Sequence, residues 1–492
     1  MSTTSAKLPK SAVVIGGGFI GISSAIHLCS RGFAVTVLEK ARSGVGSKKD
    51  GECASYGNAG TFAPYATFGL NDDSPASLLT AGVKAFFGGS LMFGSTKSGD
   101  GDVANPLSFS LSASNASEVM KFAMHFLRNS SAENRVKTNE GLSELCKRAS
   151  SSWKETLRLA GVNDARAFLE EHANRNGYLL LTKSRFDSKE VIEKNEERKR
   201  LLGDKNIWNH EGEGELIGPE MCKQLEPNLT DSAVANGGVY FKDAWSLRAP
   251  DVFLKKLAEF ALKMKGPSGG SVVIKAGSSG EVVDVRGEQQ NDEKAEIVTK
   301  SGDVYTNVHT IVVCSGWRSK EIAKMCGDGD IPLIAERGYS VEFSDTEQVS
   351  PSKLLTRATC FQRGGFIISP LQSRLRAAGL VEFGPDQPPT ASNLLSLESS
   401  TRKLLRNFSD APPRNKNSDW LGGRPTLPDY LPVLSRSSAK SNVIYAFGHH
   451  HIGFTLAGIT GKIVADIATT TGAQQRGDDH FPLEPYAVQR FL

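Results

Sequence analysis

Apolar and polar residues alternate in a characteristic order over the first forty residues. Ser11–Ile15 is a short apolar run, rich in β-branched residues, that ends at a glycine, as strands buried in parallel sheets do. The next segment carries apolar residues at i, i+3, i+4 and i+7 from Ile22 to Cys29, which predicts a helix packed on that sheet. A second buried run, Ala34–Leu38, follows Gly32. The order predicts a βαβ unit.

The same patterns continue along the chain. Helices are predicted over Glu118–Leu159, Lys189–Leu202 and Pro250–Met264, and strands over Ser271–Lys275, Glu281–Arg286, Glu296–Thr299, Thr310–Cys314 and Val443–Phe447. A loop over Gly448–Gly461 and a helix to Thr471 are predicted to follow the last strand. Residues 331–417 alternate strand-like stretches with loops, and the segments Gly44–Tyr65 and 88–105 are predicted to be irregular.

The distribution of these patterns predicts an α/β protein, α+β overall, with two domains. A discontinuous Rossmann-like domain is expected to take residues 1–85, 238–330 and 418–492. A second domain with a mixed sheet is expected to take 86–237 and 331–417. A chain of 492 residues exceeds the size at which one hydrophobic core stops growing, which also favours two domains.

Composition excludes several classes of function. The chain has 39% hydrophobic and 23% charged residues and a net charge of +4, as an ordinary globular protein has, and offers no electrostatic reason for binding nucleic acid. Seven scattered cysteines without a CxxC pair argue against a disulfide framework or a zinc site. Without a signal peptide or a transmembrane segment in the pattern, we expect a cytoplasmic protein.

The first glycine cluster, Gly16-Gly17-Gly18-Phe19-Ile20-Gly21, is a GxGxxG between the predicted strand and helix. Gly16 allows a sharp exit from the strand, Gly18 lets backbone amides reach a pyrophosphate, and Gly21 lets helix and strand pack closely. Glu39 ends the second strand, where an acidic residue binds a ribose hydroxyl. The alternative is a close-packed turn without a ligand. A glutamate at this position argues against the 2′-phosphate of NADP. The remaining strands of the sheet come much later in the chain, which favours FAD over NAD.

Several stretches carry a family resemblance. The N-terminal VVIGGGFIGISSAIHLCSRGFAVTVLEK, the loop Ser55–Gly60, the strand TIVVCSGW and the C-terminal GGRPTLPDYLPVL and AFGHHHIGFTLAGITGKIVADI resemble the FAD-dependent D-amino-acid oxidase superfamily. Within it, the chain is most similar to the D-amino-acid dehydrogenase branch. Two residues depart from that branch: His450 stands where it usually has glycine, and Phe454 where it has tryptophan.

The resemblance implies a set of FAD contacts. The glycine turn would bind the pyrophosphate, and the end of the second strand would bind the adenosine ribose. The 55–60 loop would run past the pyrophosphate to the isoalloxazine, and the C-terminal loop would face the flavin N1/O2 edge. The residues so implied are Gly16, Gly18, Phe19, Ile20, Gly21, Glu39, Lys40, Ser55, Asn58, Ala59, Gly60, Val282, Gly316, Gly448, Gly453, Phe454 and Thr455.

The resemblance also implies how an amino acid would bind. Arg424 would bind the substrate carboxylate, because a planar guanidinium pairs with it bidentately; the alternative is an arginine that braces the preceding glycine turn. Tyr339 would donate a second hydrogen bond, unless it is a core tyrosine with a satisfied hydroxyl. In the triplet His449–His451, His451 is the candidate for a flavin- or substrate-facing role. Adjacent imidazoles do not converge on one ion, so no metal site is predicted.

The function implied is oxidation of the Cα–N bond of a small amino acid, by resemblance a D-amino acid. Hydride transfer to flavin N5 would give an imino acid, which water hydrolyses to a 2-oxo acid and ammonia. Oxygen or a quinone would accept the electrons, and peripheral membrane contact is left open. Two alternatives remain: a glycine, sarcosine or cyclic imino-acid oxidase of the same fold that uses oxygen, and a flavoprotein binding module whose FAD is structural.

Overall fold

The computed structural model describes residues 9–47, 53–68, 107–109, 116–203, 212–288, 291–383, 390–408, 412–470 and 481–492. The loop predicted over 88–105 lies outside these residues. The strands are β1 (Lys10–Ile15), β2 (Phe33–Glu39), β3 (Thr61–Phe62), β4 (Leu107–Phe109), β5 (Ala173–Asn174), β6 (Tyr178–Leu181), β7 (Glu215–Ile217), β8 (Gly238–Phe241), β9 (Trp245–Leu247), β10 (Ser271–Ala276), β11 (Val282–Glu288), β12 (Asn291–Thr299), β13 (Val304–Tyr305), β14 (Thr310–Val313), β15 (Ile334–Ser344), β16 (Ala358–Phe361), β17 (Phe366–Leu371), β18 (Arg374–Phe383), β19 (Trp420–Thr426), β20 (Val433–Arg436) and β21 (Val443–Phe447).

The helices alternate with these strands. They are α1 (Phe19–Ser30), α2 (Ala116–Asn129), α3 (Ala132–Leu159), α4 (Ala165–His172), α5 (Lys189–Leu202), α6 (Pro219–Leu225), α7 (Asp231–Val234), α8 (Pro250–Lys263), α9 (Ser319–Cys326), α10 (Ala391–Leu404) and α11 (Gly453–Thr469). The last helix begins inside the segment predicted as a loop, because Gly453 is already helical.

A parallel sheet is built from the start, middle and end of the chain. Its strand order is β10-β2-β1-β14-β21-β20, and only the pairing of β20 with β21 is antiparallel. Alternate residues of β1 point into two different cores: Ala12 and Val14 into one, Val13 and Ile15 into the other. Both faces of the strand are therefore buried, which is why its sequence is continuously apolar.

A layer of helices covers one face of this sheet. α11 packs against both α1 and α3, and two glycines bring the backbones close. A Cβ at Gly461 would lie 2.7 Å from the Ser23 carbonyl oxygen of α1, and one at Gly458 would lie 2.8 Å from the Trp153 amide of α3. The stretch His450–Thr469 is long and apolar enough to cross a membrane, but 72% of its apolar 18-residue window is buried inside the molecule. Its apolar character follows from its place in the core.

The second large sheet lies beside the first. Among the described residues its order is β19-β15-β18-β17-β16-β6-β8-β7, with β4 also paired to β18. β15 lies antiparallel to both β18 and β19. α10 covers part of this sheet with Leu394 and Leu397. The mixed α/β architecture is that predicted. The exact domain division stays a prediction: β8 and β19 fall in segments assigned to the Rossmann-like domain, yet they pair in the large sheet.

Candidate functional site

A cavity of about 1650 Å³ opens between the carboxyl ends of the parallel strands and the face of the large sheet. The predicted cofactor residues that line it are Gly16, Gly18, Phe19, Ile20, Glu39, Lys40, Ser55, Asn58, Ala59, Val282, Gly316, Gly453 and Phe454. Of the predicted substrate residues, Arg424 and His451 line it as well. Residues far apart in sequence thus face one space, at the edge where open α/β sheets bind their ligands.

The glycine turn between β1 and α1 has no room for side chains. Gly16 has φ +113°, and a Cβ there would lie 2.5 Å from the Cys314 carbonyl oxygen. A Cβ at Gly21 would lie only 1.8 Å from the Gly16 carbonyl oxygen. Gly21 itself is not part of the cavity lining; its described role is the close contact of helix and strand. That contact aims the first turn of α1 at the cavity.

The N-terminus of α1 suits an anion. Gly18 is the N-cap and provides no side-chain cap, so the first-turn amides have no capping oxygen from that residue. Ser55 stands opposite, with the Phe19 amide 3.4 Å from its Oγ. The positive end of the helix dipole favours negative charge, such as that of a pyrophosphate.

Glu39 closes the end of β2 beside this turn. Its Oε2 accepts a hydrogen bond from the Gly17 amide at 2.7 Å, and its Oε1 accepts one from the Ala41 amide at 2.8 Å. These bonds fix the carboxylate at the cavity wall, next to Lys40 and across from Val282. A carboxylate has four lone pairs, so it retains acceptor capacity for ribose hydroxyls.

The large sheet holds the 55–60 loop in place. Arg376, fully buried, donates from Nη1 to the carbonyl oxygens of Tyr56 and Asn58 at 2.9 and 2.8 Å. Its Nη2 pairs with Glu342 Oε1 at 2.6 Å, which balances the buried charge. Ser369 Oγ donates to the Ala59 carbonyl oxygen at 2.8 Å. Sequence patterns gave no signal for Arg376 or Ser369, because their partners lie more than 300 residues away.

Arg424 lies on β19, and only part of its guanidinium group makes hydrogen bonds within the described residues. Its Nη1 donates to Glu336 Oε1 at 3.1 Å and to the Leu380 carbonyl oxygen at 3.0 Å. Thr426 Oγ1 donates to the other oxygen of Glu336 at 2.8 Å. Within the described residues, Nε and Nη2 of Arg424 have no hydrogen-bond partner, and the side chain is 19% exposed. One edge of the guanidinium is thus held by the protein, and the other remains available to a carboxylate.

The three adjacent histidines have three different environments. His449 Nε2 lies 2.9 Å from Thr460 Oγ1, and burial lowers its pKa to about 3, so it is a neutral residue of the core. All three histidines line the cavity, and His450 and His451 share an Nδ1–Nδ1 hydrogen bond of 3.1 Å. Burial lowers the pKa of His451 as well; the Glu336 charge opposes that effect and Arg424 adds to it.

The structure does not bring Tyr339 to the cavity. Its hydroxyl donates to Glu382 Oε2 at 2.5 Å, and the ring is 1% exposed in the core of the large sheet. Burial, and then the hydrogen bond to Glu382, raise the pKa of this tyrosine. On β15 the side chains alternate between the two faces of the sheet, so Tyr339 and Glu336 point to opposite faces. The expectation that Tyr339 binds a carboxylate is therefore replaced by the core alternative.

Three other predicted residues also lie outside the lining among the described residues: Gly60, Gly448 and Thr455. Thr455 Oγ1 accepts a hydrogen bond from the Ala63 amide at 2.9 Å. Gly448 has φ +87°, and a Cβ there would lie 2.3 Å from Leu427. Gly60 has φ +76° and accepts a hydrogen bond from the Leu247 amide. These residues shape the loops that line the cavity.

Two buried polar side-chain atoms in residues of the cavity lining have no hydrogen-bond partner within the described residues. They are Trp420 Nε1 and His450 Nε2. Trp420 packs against Gly57, where a Cβ would lie 2.1 Å from its ring. Buried donors and acceptors rarely stay unpaired in native proteins. The N-terminus of α1, the fixed Glu39 and the glycine-lined turn fit a long dinucleotide such as FAD.

Comparison with known proteins gives the family. The family model described as FAD dependent oxidoreductase matches residues 11–467. The chain is 28% identical to a D-amino-acid oxidase of Bradyrhizobium diazoefficiens over 486 residues, covering 97% of this chain and 98% of that protein. It is 25% identical to a D-amino acid dehydrogenase of Vibrio atlanticus over 474 residues, covering 95% and 98%. The crystal structure of glycine oxidase from Geobacillus kaustophilus superposes with a TM-score of 0.61 at 18% identity, covering 98% and 99% of the chains.

Proposed function

The chain belongs to the FAD dependent oxidoreductase family, and from that premise we propose that it oxidises the Cα–N bond of an α-amino acid of D configuration. Both the cofactor predicted from the sequence, FAD, and the enzyme class, an oxidoreductase, are those of the family. The proposed reaction removes a hydride from Cα and a proton from nitrogen, which gives an imino acid. Water then hydrolyses the imino acid to a 2-oxo acid and ammonia.

One observation carries the proposal: Arg424 presents an unpaired guanidinium edge to the same cavity that the glycine turn lines. The Nε and Nη2 atoms on that edge match the two oxygens of a carboxylate. Glu336 already neutralises Arg424 on the other side. A bound simple carboxylate would therefore leave one uncompensated negative charge in a buried site, whereas a zwitterionic amino acid adds no net charge. The pair favours an amino acid over a plain acid.

The residues of the chain would bind and orient the substrate and exclude water from it. Arg424 would hold the carboxylate, and Ser55, Asn58 and Ala59 would line the path of the cofactor. When bound, FAD supplies the two-electron acceptor for the hydride. Placing the Cα hydrogen close to that acceptor contributes most where the reacting atoms are held within about 3.5 Å of each other. The ammonium group of the bound amino acid would lose its proton to water before the hydride leaves Cα, so the reaction requires no strong general base from the protein.

The cavity continues past Arg424 into an apolar region beneath α2. Val119, Phe122 and Phe126 of that helix line it, together with Ile334 and Phe383 of the large sheet. Such a region suits an apolar substrate side chain. This supports an amino acid with a side chain over glycine or sarcosine, the substrates of the rival function. Glycine and sarcosine are nevertheless included in the test, because glycine oxidase has the same fold.

The test is anaerobic mixing of the yellow protein with D-alanine, D-phenylalanine, D-proline, glycine and sarcosine. We expect a D-amino acid to bleach the flavin absorbance fastest. Bleaching by glycine or sarcosine alone would support the rival, and no bleaching with any amine would support a structural FAD. Steady-state assays with oxygen and with a quinone would then assign the electron acceptor.

Arg424→Ala and Arg424→Lys test the carboxylate contact. We expect the Kd for the amino acid to rise about 100-fold in the alanine variant, since a charge-assisted bidentate contact contributes about 3 kcal/mol. Lysine keeps the charge but not the bidentate geometry, so its Kd should lie between the two. FAD content should stay unchanged in both. An unaltered Kd in Arg424→Ala would show that another group binds the carboxylate.

A further inference from the structure

One small hydrophobic cluster is separate from the three large cores of the molecule and belongs to the wall of the cavity. Three of its members are buried and three are partly buried, in the order Phe122, Ile334, Phe383, Val119, Phe126 and Val381. All six residues line the cavity. A core cluster closes its apolar surface against other residues, whereas this one keeps part of that surface towards an open space. We call these six residues the α2 cluster.

The α2 cluster lies next to Arg424. Glu336 is the pairing partner of Arg424 across β15 and β19, and Ile334 comes two residues earlier on β15. Residues two apart on a strand point to the same face of the sheet, about 7 Å from each other. On β18, the Leu380 carbonyl oxygen accepts a hydrogen bond from Arg424, and Val381 follows directly. A ligand whose carboxylate is bound by Arg424 therefore has the α2 cluster within reach of its side chain.

Phe122 is the centre of the cluster. Of the residues of α2, all of which the structure describes, only Phe122 is buried, at 7% exposure. Its ring packs on that of Phe383 at 5.8 Å between centroids and on that of Phe126 at 5.9 Å. Phe122 thus joins α2 to the large sheet and gives the cavity an aromatic wall at this end.

The chemistry of the cluster selects the occupant. None of its side chains has a polar atom, so a charged or hydroxyl-bearing side chain placed against it would lose its hydration without a partner. A benzyl group offers far more apolar surface than a methyl group, and its ring can also pack on those of Phe122 and Phe126. We propose, on the basis of the proposed function, that the α2 cluster binds the substrate side chain and that Phe122 makes the enzyme prefer D-amino acids with a large apolar side chain, such as D-phenylalanine, over D-alanine.

The test uses two pairs of ligands that each differ by one phenyl group. For D-phenylalanine and D-alanine, the concentration dependence of the anaerobic bleaching rate gives an apparent Kd. We expect D-phenylalanine to bind about 30-fold more tightly, because its ring is buried against the cluster. For 3-phenylpropionate and propionate, which have no amino group to oxidise, titration of the flavin spectrum gives the Kd. The same preference for the phenyl group is expected in this second pair.

Variants of α2 assign the preference to Phe122. In Phe122→Ala we expect the Kd for D-phenylalanine to rise about 10-fold and that for D-alanine to change less than about 2-fold. Phe122→Leu keeps an apolar side chain, so it should fold even if the alanine variant does not, and should cost D-phenylalanine about 3-fold. Met124→Ala is the matched control: Met124 lies on the same helix, is 59% exposed and is not part of the cavity lining, so neither Kd should change.

Three results would overturn the proposal. The first is an equal Kd for D-phenylalanine and D-alanine in the unsubstituted enzyme. The second is an unchanged Kd for D-phenylalanine in both Phe122 variants. The third is an equal rise for both amino acids, because the ring would then shape the cavity without contacting the substrate side chain. If no amino acid bleaches the flavin, the proposed function fails, and the two plain carboxylates alone decide whether the α2 cluster binds a large apolar group.

Discussion

At the scale of single residues, the site depends on small distances that the glycines allow. The Gly16–Gly21 contact is the sharpest case, because a methyl group at Gly21 would overlap a backbone carbonyl oxygen that cannot move without displacing β1 or α1. At Gly18 the nearest atom to such a methyl is the Ser55 Oγ, at 3.1 Å, which is a side-chain atom. Gly21 therefore allows the close contact of helix and strand, whereas Gly18 leaves room at the cavity wall.

We expect Gly21→Ala to lower the stability by at least about 3 kcal/mol and to abolish FAD retention, since helix and strand must separate. Gly18→Ala should remain folded, with weaker FAD binding because the methyl group enters the pyrophosphate position. Thermal unfolding monitored by circular dichroism and by release of flavin fluorescence measures both. Equal losses of stability in the two variants would contradict the distinction.

Tyr339 on β15 is buried in the core, whereas Arg424 on the neighbouring strand β19 lines the cavity. Tyr339→Phe leaves Glu382 with Arg337 at 3.2 Å and Asn393 at 3.0 Å, but removes its bond to the tyrosine hydroxyl. We expect a loss of about 1 to 2 kcal/mol in the free energy of unfolding, with the substrate Kd unchanged. Urea denaturation and the anaerobic titration together check this. A raised substrate Kd with an unchanged free energy of unfolding would show that Tyr339 contacts the substrate.

At the scale of elements, the predictions succeeded where the pattern is local. β1, α1 and β2 begin and end within three residues of the segments predicted from apolar spacing, and Lys189–Leu202 is a helix over its predicted length. The start of α11 was wrong because Gly453, Gly458 and Gly461 suggested a loop. Two of these glycines instead let the helix approach its neighbours, a requirement that depends on tertiary contacts.

The helix layer contains a buried histidine that links α1 to α3. His27 Nε2 lies 2.9 Å from Thr156 Oγ1, and burial, reinforced by Arg31 and Lys462, lowers its pKa from 6.5 to about 3. Between those values the unfolded chain binds a proton that the folded chain does not, so this residue lowers the stability as the pH falls from 6.5 towards 3. Above 6.5 its contribution is constant.

We expect His27→Gln to make the fall in unfolding free energy between pH 6 and pH 4 shallower by about 1.4 kcal/mol per pH unit. Glutamine keeps a polar group near Thr156 without an imidazole that titrates in that range. Urea denaturation at pH 7, 6, 5 and 4 measures the slope. Parallel curves for the variant and the unsubstituted protein would show that His27 does not titrate as its burial implies.

At the scale of the whole molecule, the sequence predicted the cavity lining around the glycine turn better than the lining around Arg424. The glycine turn and Glu39 carry a known spacing, and they lie at one edge of the parallel sheet as that spacing requires. Glu336 contacts Arg424, 88 residues away, and Arg376 contacts Tyr56, 320 residues away. These contacts, and the position of Trp420, depend on strands whose pairing no local pattern specifies. Contacts around Arg424 depend on that pairing, which is why Tyr339 was predicted to bind the carboxylate although it lies in the core.

In the function proposed here, one cavity joins an FAD site to an amino-acid site. The most direct measurement is an anaerobic single turnover of the purified yellow protein with the fastest D-amino acid of the panel, followed by assay of the products. We predict one 2-oxo acid and one ammonia for each FAD bleached, and loss of the turnover in Arg424→Ala at the same substrate concentration. A colourless folded protein that takes up no FAD, or bleaching without release of ammonia, would contradict the account.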